Sequence, residues 1–451
     1  MNIIIVGGGM VGKNLVQQLS EDGNNITVID LEEDNINAIT TKYDVNGIVG
    51  NGATHRIQQE AGIEDADLLI AVTGSDELNL LCCIIAKKEG KCQTIARVET
   101  PVYRADADYL KEQLGLAMVI SPEYVAAKEI SRLLRFPSAI KIETFANGNV
   151  ELLKFRLPEG SKLAGMSVKE VVTKLKCDVL ICTIERDSDT YIAYGDFVFK
   201  DKDIISIIAS HKNADEFTKK VGFETHSAKN VMLAGGGEIT HYLCEMLPKH
   251  GMNVKVIEKD RHICEEMCSD FGKISIINAD TSEIDILIEE GVRDTDAFVS
   301  LLDLDEENIL LSLTMKNLSK GKIITEIKKA DFDAIAKNLD LDTTVNPKTI
   351  TSDMIVRYVR ATQNTLGSNV ETLYNFIPGK ATAAEFIVKE NSPIASIPIS
   401  ELKLKKNILI SSIIRNGHVI LPRGNDVIIP GDSVVIVSEF MPLHDISDVL
   451  K

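Results

Sequence analysis

The chain has 451 residues and a net charge of −18 at pH 7, and 44% of its residues are hydrophobic. This length is enough for about three or four domains, and the apolar content can give each a buried core. A nucleic-acid binder would normally carry a basic excess or patch, so the acidic balance argues against that class of partner. No apolar stretch approaches the roughly 20 residues of a membrane-spanning helix, and no signal-peptide pattern precedes the first predicted strand. We therefore expect a cytoplasmic protein that acts at a membrane only through a partner.

The first 138 residues alternate short apolar segments with helical segments. The predicted strands cover residues 2–6, 26–30, 45–49, 67–72, 93–98 and 117–120. Continuous apolar strands separated by helices are typical of a parallel sheet that is covered on both faces. We predict a Rossmann-like, doubly wound α/β domain over residues 1–138.

A glycine motif connects the first predicted strand to the first predicted helix. In the stretch MNIIIVGGGMVGKNL, Gly7 permits a tight turn, Gly9 lets the backbone approach a pyrophosphate, and Gly12 lets the helix lie close to the strand. The free N–H groups at the helix N-terminus then favour an anion. The residues predicted to bind the nucleotide here are Gly7, Gly8, Gly9, Met10, Val11 and Gly12.

Asp30 ends the second predicted strand, eighteen residues after Gly12. A carboxylate at this position accepts hydrogen bonds from ribose hydroxyls and would repel a 2′-phosphate, which disfavours NADP. It does not separate NAD(H) from ATP, ADP or AMP, because all of them carry that ribose. An adenine nucleotide is the predicted ligand.

Further candidates follow the fourth and fifth strands, at the sheet edge where ligands bind in such folds. Thr73 and Gly74 form the loop after the fourth strand, and Arg97 ends the fifth. Arg97 either contacts a phosphate or the second ribose, or forms an ordinary surface ion pair, and Lys13 either reaches a phosphate or is solvated. In the segment SDELN (75–79), the acids are predicted to start a helix rather than to bind a ligand.

A helix is predicted over residues 121–136, where Ser121 caps the helix and Pro122 occupies its first position. Its apolar stripe packs either on its own domain or on another subunit. Residues 139–222 then show short strands and turn signals, which indicate a small, β-rich α+β domain.

The whole arrangement repeats at an offset of 228–229 residues. IIIVGGG (3–9) aligns with VMLAGGG (231–237), and VIDLEED (28–34) aligns with VIEKDRH (256–262). We therefore predict a second Rossmann-like domain over 228–365, a second linker helix over 346–360, and a second small α+β domain over 368–451.

The second copy keeps the ribose acid and alters the phosphate end. Thr240 replaces the third glycine, Glu238 brings a carboxylate to the expected pyrophosphate, and Glu326 stands where Arg97 stood. We therefore hypothesise that the second site binds nucleotide more weakly, prefers a less charged ligand or stays empty. Its predicted nucleotide-binding residues are Gly235, Gly236, Gly237, Glu238, Ile239 and Glu258.

No catalytic constellation repeats in both halves. A dehydrogenase needs a catalytic group beside its nicotinamide and a domain that closes over the substrate, and the small domains are poor in such groups. This favours a nucleotide sensor over the alternative, an NAD-dependent oxidoreductase acting on a small substrate. The eight scattered cysteines suit a reducing compartment, and no metal site is predicted, because the spacing of His262, Cys264 and Cys268 lacks a paired Cys-x-x-Cys knuckle.

The order of domains, together with GGGMVG…VID, GNGAT (50–54), SDELN and TIARV (94–98), resembles the NAD-binding subunits of the Trk potassium uptake systems. These are built from regulator-of-potassium-conductance (RCK) modules of N and C types, and the resemblance covers essentially the whole chain. It implies a peripheral protein at the inner face of the cell membrane, a homotetramer on a TrkH- or TrkG-type potassium-transporting subunit. It also implies gating in response to NAD(H) and ATP or ADP, and no enzymatic activity.

Overall fold

The protein is described by a computed structural model, which covers all of the chain except residues 101–102, 105, 137, 146–149, 176–177, 187–188, 224–226, 330–331, 333–334, 337, 342, 366–369, 378–380, 440–442 and 444. The chain divides into two compact units, each drawing one piece from each half of the repeat. The parallel-sheet unit comprises residues 1–131 and 229–356, and the antiparallel-sheet unit comprises residues 132–228 and 357–451.

The first module of the parallel-sheet unit is a six-stranded parallel sheet with the order β3-β2-β1-β4-β5-β6. Its strands are β1 (Asn2–Val6), β2 (Asn25–Asp30), β3 (Asn46–Val49), β4 (Leu68–Ala71), β5 (Gln93–Arg97) and β6 (Met118–Ile120). Its helices are α1 (Met10–Glu21), α2 (Glu33–Thr40), α3 (His55–Glu60), α4 (Asp76–Glu89), α5 (Ala107–Leu114) and the linker helix α6 (Pro122–Arg135). The strand order reverses between β1 and β4, which is the switch point where ligands bind in open parallel sheets.

The small domain of the first half belongs to the antiparallel-sheet unit. Its strands are β7 (Ala139–Phe145), β8 (Val150–Arg156), β9 (Leu180–Arg186), β10 (Asp189–Ile192) and β11 (Ile204–Ala209). They form one sheet with the order β10-β9-β11-β8-β7, accompanied by the helices α7 (Val168–Leu175) and α8 (His211–Val221).

The second module of the parallel-sheet unit repeats the first, with the order β14-β13-β12-β15-β16-β17. Its strands are β12 (Asn230–Ala234), β13 (Asn253–Glu258), β14 (Ser275–Asn278), β15 (Ala297–Ser300), β16 (Lys322–Glu326) and β17 (Thr344–Val345). Its helices are α9 (Glu238–Met246), α10 (Arg261–Asp270), α11 (Ile284–Glu289), α12 (Asp305–Leu318) and the linker helix α13 (Pro347–Thr365).

The second small domain completes the antiparallel-sheet unit with the sheet order β18-β19-β22-β20-β21. Its strands are β18 (Val370–Ile377), β19 (Ala381–Ile387), β20 (Ile408–Arg415), β21 (His418–Ile420) and β22 (Ser433–Glu439). The two small domains share a hydrophobic cluster, in which Cys182 and Ile208 of the first meet Ala383 and Val435 of the second. The predicted fold class, two doubly wound parallel sheets each followed by a small α+β domain, is confirmed.

Apolar strands explain the two parallel sheets. All four residues of Leu68–Ala71 are buried, as are the last four of Asn2–Val6, because helices cover both faces of the sheet. Helix α4 begins where Ser75 caps it by accepting a hydrogen bond from the Leu78 N–H. Acidic side chains in its first turn and lysines in its last turn complement the helix dipole.

The linker helices join the two modules of the parallel-sheet unit. The ring of Tyr124, from α6, meets the ring of Tyr242, from α9, edge to face with centroids 5.4 Å apart. Reciprocally, the amide of Gln18 on α1 donates to the carboxylate of Asp353 on α13 at 3.0 Å. The N-terminal halves of the linker helices therefore pack on the opposite module of the same chain. The sequence predicted packing either on the helix's own domain or on another subunit, but not this arrangement.

An arginine–aspartate pair recurs in each small domain. Arg186 donates from Nε and Nη2 to the two carboxylate oxygens of Asp203, both at 2.7 Å, and Arg415 does the same to Asp432 at 2.9 and 2.8 Å. Both aspartates are almost completely buried. The duplication has therefore kept a bidentate ion pair that holds the end of one strand against its neighbour.

Candidate nucleotide-binding site

The glycine loop between β1 and α1 has the shape that the motif predicts. Gly7 has a φ of +110°, and a Cβ there would lie 2.9 Å from the carbonyl oxygen of Val72, so only glycine fits. A Cβ at Gly12 would collide with the carbonyl oxygen of Gly7. Gly9 is the N-cap of α1 and faces open space, since a Cβ at this position would have no atom within 4 Å. The loop thus presents an uncovered helix N-terminus, which suits an anion.

Asp30 fixes this loop from the neighbouring strand. One carboxylate oxygen accepts the Gly8 N–H at 2.5 Å, and the other accepts the Glu32 N–H at 2.8 Å and the amide of Asn35 at 3.4 Å. The oxygen bound to Gly8 accepts a single hydrogen bond, so it has a lone pair left for a ligand. Asp30 can therefore hold the loop and still accept a ribose hydroxyl.

A cleft of about 450 Å³ opens between the loop and the carboxyl ends of the strands. The structure brings together there eight of the residues predicted for the first site, namely Gly7, Gly9, Met10, Val11, Asp30, Thr73, Gly74 and Arg97. Gly8 and Gly12 do not line it, because Gly8 turns towards Asp30 and Gly12 faces the loop backbone. Asn51, from the segment GNGAT, lines the opposite side.

Arg97 places a cation at the inner end of the cleft. It is only 9% exposed, and this burial lowers the pKa of its guanidinium, which still remains charged at neutral pH. It forms an ion pair with Glu99 and donates to the carbonyl of Thr73 at 3.3 Å. Within the described part of the chain, its Nε–H has no hydrogen-bond acceptor. Arg97 therefore has an ion-pair partner and an unused donor beside the cleft.

Asn79 holds the far side of the cleft in place, a role that the sequence did not reveal. Its side-chain oxygen accepts the N–H of Thr73 at 2.8 Å, and its amide donates to the carbonyl of Arg97 at 3.0 Å. Asn308 bonds both the N–H and the carbonyl of Leu302 in the second module, as Asn79 does with those of Thr73. The signal was present in the sequence, because the asparagine recurs at the same place in both halves.

Asp76 is structural, in agreement with the interpretation of SDELN. Its two carboxylate oxygens accept the N–H groups of Glu99 and Thr100, both at 2.8 Å. Asp305 accepts the N–H groups of Lys328 and Lys329 in the same way. In both modules the first turn of this helix anchors the segment after the fifth strand of its sheet.

The second module keeps the loop and its acid. Gly235 has a φ of +105°, and Glu258 accepts the N–H groups of Gly236 and Asp260, both at 2.6 Å. The third glycine's replacement, Thr240, is fully buried and donates its hydroxyl to the Gly235 carbonyl at 2.6 Å. The Gly235 carbonyl corresponds to that of Gly7 in the first module, with which a side chain at Gly12 would collide. In the second module the threonine hydroxyl donates a hydrogen bond to it instead.

The remaining residues predicted for the second site lie around the start of α9. Gly237 is the N-cap of α9 and, like Gly9, faces open space. Ile239 lies in the first turn of α9, and its side chain is buried. His241, which stands where Lys13 stood, packs its ring against Phe271 with centroids 4.7 Å apart. It therefore contributes an aromatic contact at a position where the first module has a lysine.

Carboxyl groups lie at both ends of the second site. Burial raises the pKa of Glu326 to about 7, and Lys328 opposes this shift. Burial also raises the pKa of Glu238, with a further contribution from the charge of Glu123. Glu123 belongs to α6 of the first module, and burial raises its own pKa as well. An anionic ligand would meet Glu238 at the start of α9, and Glu326 where the first site presents Arg97.

The two linker helices supply residues that sequence reasoning missed. Lys348, near the start of α13, lines the cleft of the first module. Glu123 holds the equivalent place on α6 and acts electrostatically on Glu238 and Glu326. Aligning Ser-Pro-Glu (121–123) with Asn-Pro-Lys (346–348) would have identified this pair, but not that Lys348 lines the cleft of the first module.

Six of the seven cysteines in the described part of the chain are buried. Cys264 is buried and donates to the carbonyl of Glu258 at 3.4 Å, while Cys268 is exposed. Burial raises the pKa of the Cys244 thiol to about 12, which keeps it protonated at neutral pH.

Among the residues that the structure describes, no group of three or more His, Cys, Asp or Glu side chains is arranged to hold a metal ion. In the same part of the chain, no helix has the length and apolar character to cross a membrane.

The fold places the chain among tandem proteins in which each Rossmann-type module is followed by a small antiparallel-sheet module. The TrkA-N domain family matches residues 3–122 and 231–347, and the TrkA-C domain family matches residues 152–222 and 383–448. The chain therefore belongs to the TrkA family.

Full-length relatives agree with this assignment. The Trk system potassium uptake protein TrkA homolog of Archaeoglobus fulgidus is 30% identical over 452 aligned residues, covering 100% of both chains. The Trk system potassium uptake protein TrkA of Haemophilus influenzae is 29% identical, covering 97% of this chain and 95% of that protein.

Solved structures share the fold at lower identity. The GsuK channel superposes with a TM-score of 0.65 at 14% identity, covering 97% of this chain and 76% of that one. The isolated GsuK RCK domain gives a TM-score of 0.62, also at 14% identity, covering 97% of this chain and 92% of that one.

Proposed function

We propose that this protein is a nucleotide-sensing regulatory subunit of a potassium uptake system, with NAD(H), ATP or ADP as ligands of the first module. The observation that carries the proposal is the cleft at the switch point of the first sheet. It joins an open helix N-terminus at Gly9, a fixed carboxylate at Asp30, and a buried cation at Arg97. These three features match a phosphate chain, a ribose and the distal end of an adenine nucleotide.

Membership of the TrkA family supplies the wider setting. Relatives that align along the full length are named Trk system potassium uptake proteins, and the GsuK channel, which has the same fold, has been solved bound to NAD. We propose that the chain assembles as a homotetramer on an integral-membrane, TrkH- or TrkG-type potassium transporter at the cytoplasmic face. The four domains would span 1–138, 139–222, 228–365 and 368–451.

A sensory role is favoured over an oxidoreductase by the composition of the cleft. Among the described residues that line it there is no histidine, the side chain that most often exchanges protons with a substrate, and of its carboxylates Asp30 is bound to the glycine loop and Glu99 is paired with Arg97. A sensor needs only different affinities for two arrangements of its modules, so that ligand binding shifts the balance between them.

The second module is proposed to bind nucleotide more weakly than the first. Gly235, Gly237 and Glu258 preserve the loop and the ribose acid. The carboxyl groups of Glu238 and Glu326 disfavour phosphate there, and a less charged ligand fits this surface better.

Calorimetric titration of the full-length protein with NADH, NAD, ATP and ADP tests the ligand assignment. Asp30→Ala removes the ribose acceptor, and since hydrogen bonds involving a charged group contribute about 1.5–3 kcal/mol, affinity should fall roughly 10- to 100-fold. Asp108→Ala, at an exposed position of α5, is the matched control and should bind as the wild type does. Wild-type titrations without binding of any of the four nucleotides would refute the proposal.

Flux measurements test the regulatory part. The protein is reconstituted in liposomes with a TrkH-type subunit, and potassium flux is followed as each nucleotide is added. We expect nucleotide-dependent flux with the wild-type protein and a weaker nucleotide dependence with Asp30→Ala. Consumption of NADH with a candidate carbonyl substrate, followed at the wavelength where NADH absorbs, would instead indicate an oxidoreductase.

A further inference from the structure

The first cleft takes one side chain from the other half of the chain. Lys348 follows the proline that starts α13 and lines the cleft together with Arg97 and Glu99 of the first module. It is half-buried, and its carbonyl accepts the hydroxyl of Ser352 at 2.9 Å within the first turns of the helix. The cleft is therefore completed by a cation that its own module does not contain.

The equivalent residue of the first linker helix has the opposite charge. Glu123 follows Pro122 as Lys348 follows Pro347, and its charge acts on Glu238 and Glu326 of the second module. The same charge also acts on Arg97 of its own module, so Glu123 influences both modules. Of the two matching positions, Lys348 is the one that brings a positive charge to the first cleft.

We propose that Lys348 binds the terminal phosphate of a nucleoside triphosphate in the first cleft and makes this cleft favour ATP over NADH. This rests on the proposed function, because it requires an adenine nucleotide in the cleft. With the ribose at Asp30 and the first phosphates at the start of α1, the ligand extends towards Thr73, Arg97 and Lys348. ATP carries an anionic phosphate at that end, whereas NADH carries an uncharged ribose and ring.

The charges around Lys348 suit this role. Arg97 already has Glu99 as an ion-pair partner, so the cleft has less positive charge available from Arg97 than the residue type suggests. Glu123 lies within electrostatic range of both cations, and its burial makes it easier to protonate when an anion enters. Lys348 then supplies an ammonium group whose hydrogen bond is strongest with an anionic acceptor such as a phosphate oxygen.

The origin of Lys348 gives the contact a regulatory consequence. A triphosphate bound in this way touches both modules of the parallel-sheet unit, while a dinucleotide lacks the contact with α13. The two ligands therefore differ in how strongly they favour the arrangement in which Lys348 reaches the cleft. A switch requires such a difference in affinity for two arrangements.

Titration of full-length variants with ATP and NADH tests the proposal. Lys348→Met keeps the aliphatic length and removes the charge, and it should weaken ATP about 10- to 100-fold while NADH changes less than about threefold. Lys348→Arg keeps the charge and should hold ATP affinity within about threefold of wild type. Lys88→Met, on the exposed end of α4, removes the same charge elsewhere and should leave both affinities unchanged.

Two outcomes would overturn the proposal. ATP affinity that Lys348→Met leaves unchanged would show that the lysine does not meet the phosphate, and an equal loss for ATP and NADH would show that it does not discriminate between them. Retained NADH binding verifies that each variant is folded. A wild-type chain that binds neither nucleotide would refute the proposed function itself, whereas wild-type binding that ignores Lys348→Met refutes this proposal alone.

Discussion

The two modules of the parallel-sheet unit have the same framework and differ in charge at the distal end of their predicted sites. In both, an acid at the end of the second strand binds the glycine loop, through Asp30 in one and Glu258 in the other. At the distal end, Arg97 in the first module corresponds to Glu326 in the second. Contacts that hold the backbone have therefore survived the duplication, while side chains that face the sites have changed. Folding constrains the former, and under the proposed function the ligand constrains the latter.

The largest effect is expected where both halves have kept the same buried pair. Asp203→Ala leaves Arg186 without its bidentate partner, and breaking a buried ion pair costs about 3–5 kcal/mol in the free energy of unfolding. Asp432→Ala should cost a similar amount through Arg415. Urea unfolding followed by circular dichroism measures both. The exposed Asp201→Ala is the control, and a loss below about 1 kcal/mol at either site would contradict a shared structural role.

The third position of the glycine motif should respond differently in the two modules. Gly12→Thr places a side chain against the carbonyl of Gly7 and should lower the free energy of unfolding by about 2–3 kcal/mol through overpacking. Thr240→Val keeps the shape and loses only the hydrogen bond to Gly235, for about 1 kcal/mol. Thermal unfolding compares them. A Gly12→Thr variant as stable as the wild type would show that the first helix can adjust as the second has done.

The pH dependence of stability should be visible at Glu326. Its pKa is raised to about 7 in the folded protein, so the stability it contributes is complete below its unfolded pKa and is lost as the pH rises to about 7. Glu326→Gln removes this titration and should raise the free energy of unfolding by about 1–3 kcal/mol at pH 8. At pH 4 the variant and the wild type should be alike, and melting curves at both pH values measure the difference. Equal curves at pH 8 would mean that Glu326 is not held in a desolvated position.

The smallest effect is expected at Lys13, which the sequence left open as a phosphate ligand or a solvated side chain. Its ammonium donates to the side-chain oxygen of Asn35 at 3.2 Å. Because this contact is only partly buried, Lys13→Ala should change the free energy of unfolding by no more than about 0.5 kcal/mol. Titration with ATP then separates the two hypotheses. A tenfold loss would identify a phosphate ligand, and an unchanged affinity would identify a solvated lysine.

Much of the fold could be predicted from the sequence because its signals are local. The alternation of apolar strands with capped helices predicted the strands of the first sheet, and the structure has them at nearly the same bounds. The loop glycines carried a steric requirement that the sequence states directly, as at Gly7. Internal similarity then extended each conclusion to the second half of the chain.

What could not be predicted depends on contacts between distant segments. The position of Lys348 in the first cleft follows from how α13 crosses to the opposite module, and no periodicity in the chain encodes that crossing. The role of Asn79 depends on the meeting of two loops, at Thr73 and Arg97. The sequence identified the acid at Asp30 but not that its carboxylate is already bound to the loop.

The crossing of the linker helices has an evolutionary consequence, because both modules lie on one polypeptide. In a symmetric dimer of a single repeat, every substitution would appear twice, and the two sites would have to remain identical. A fused tandem is free of that restriction. Glutamate at 123 and lysine at 348 can therefore coexist at matching places, and selection can specialise one half while the other diverges.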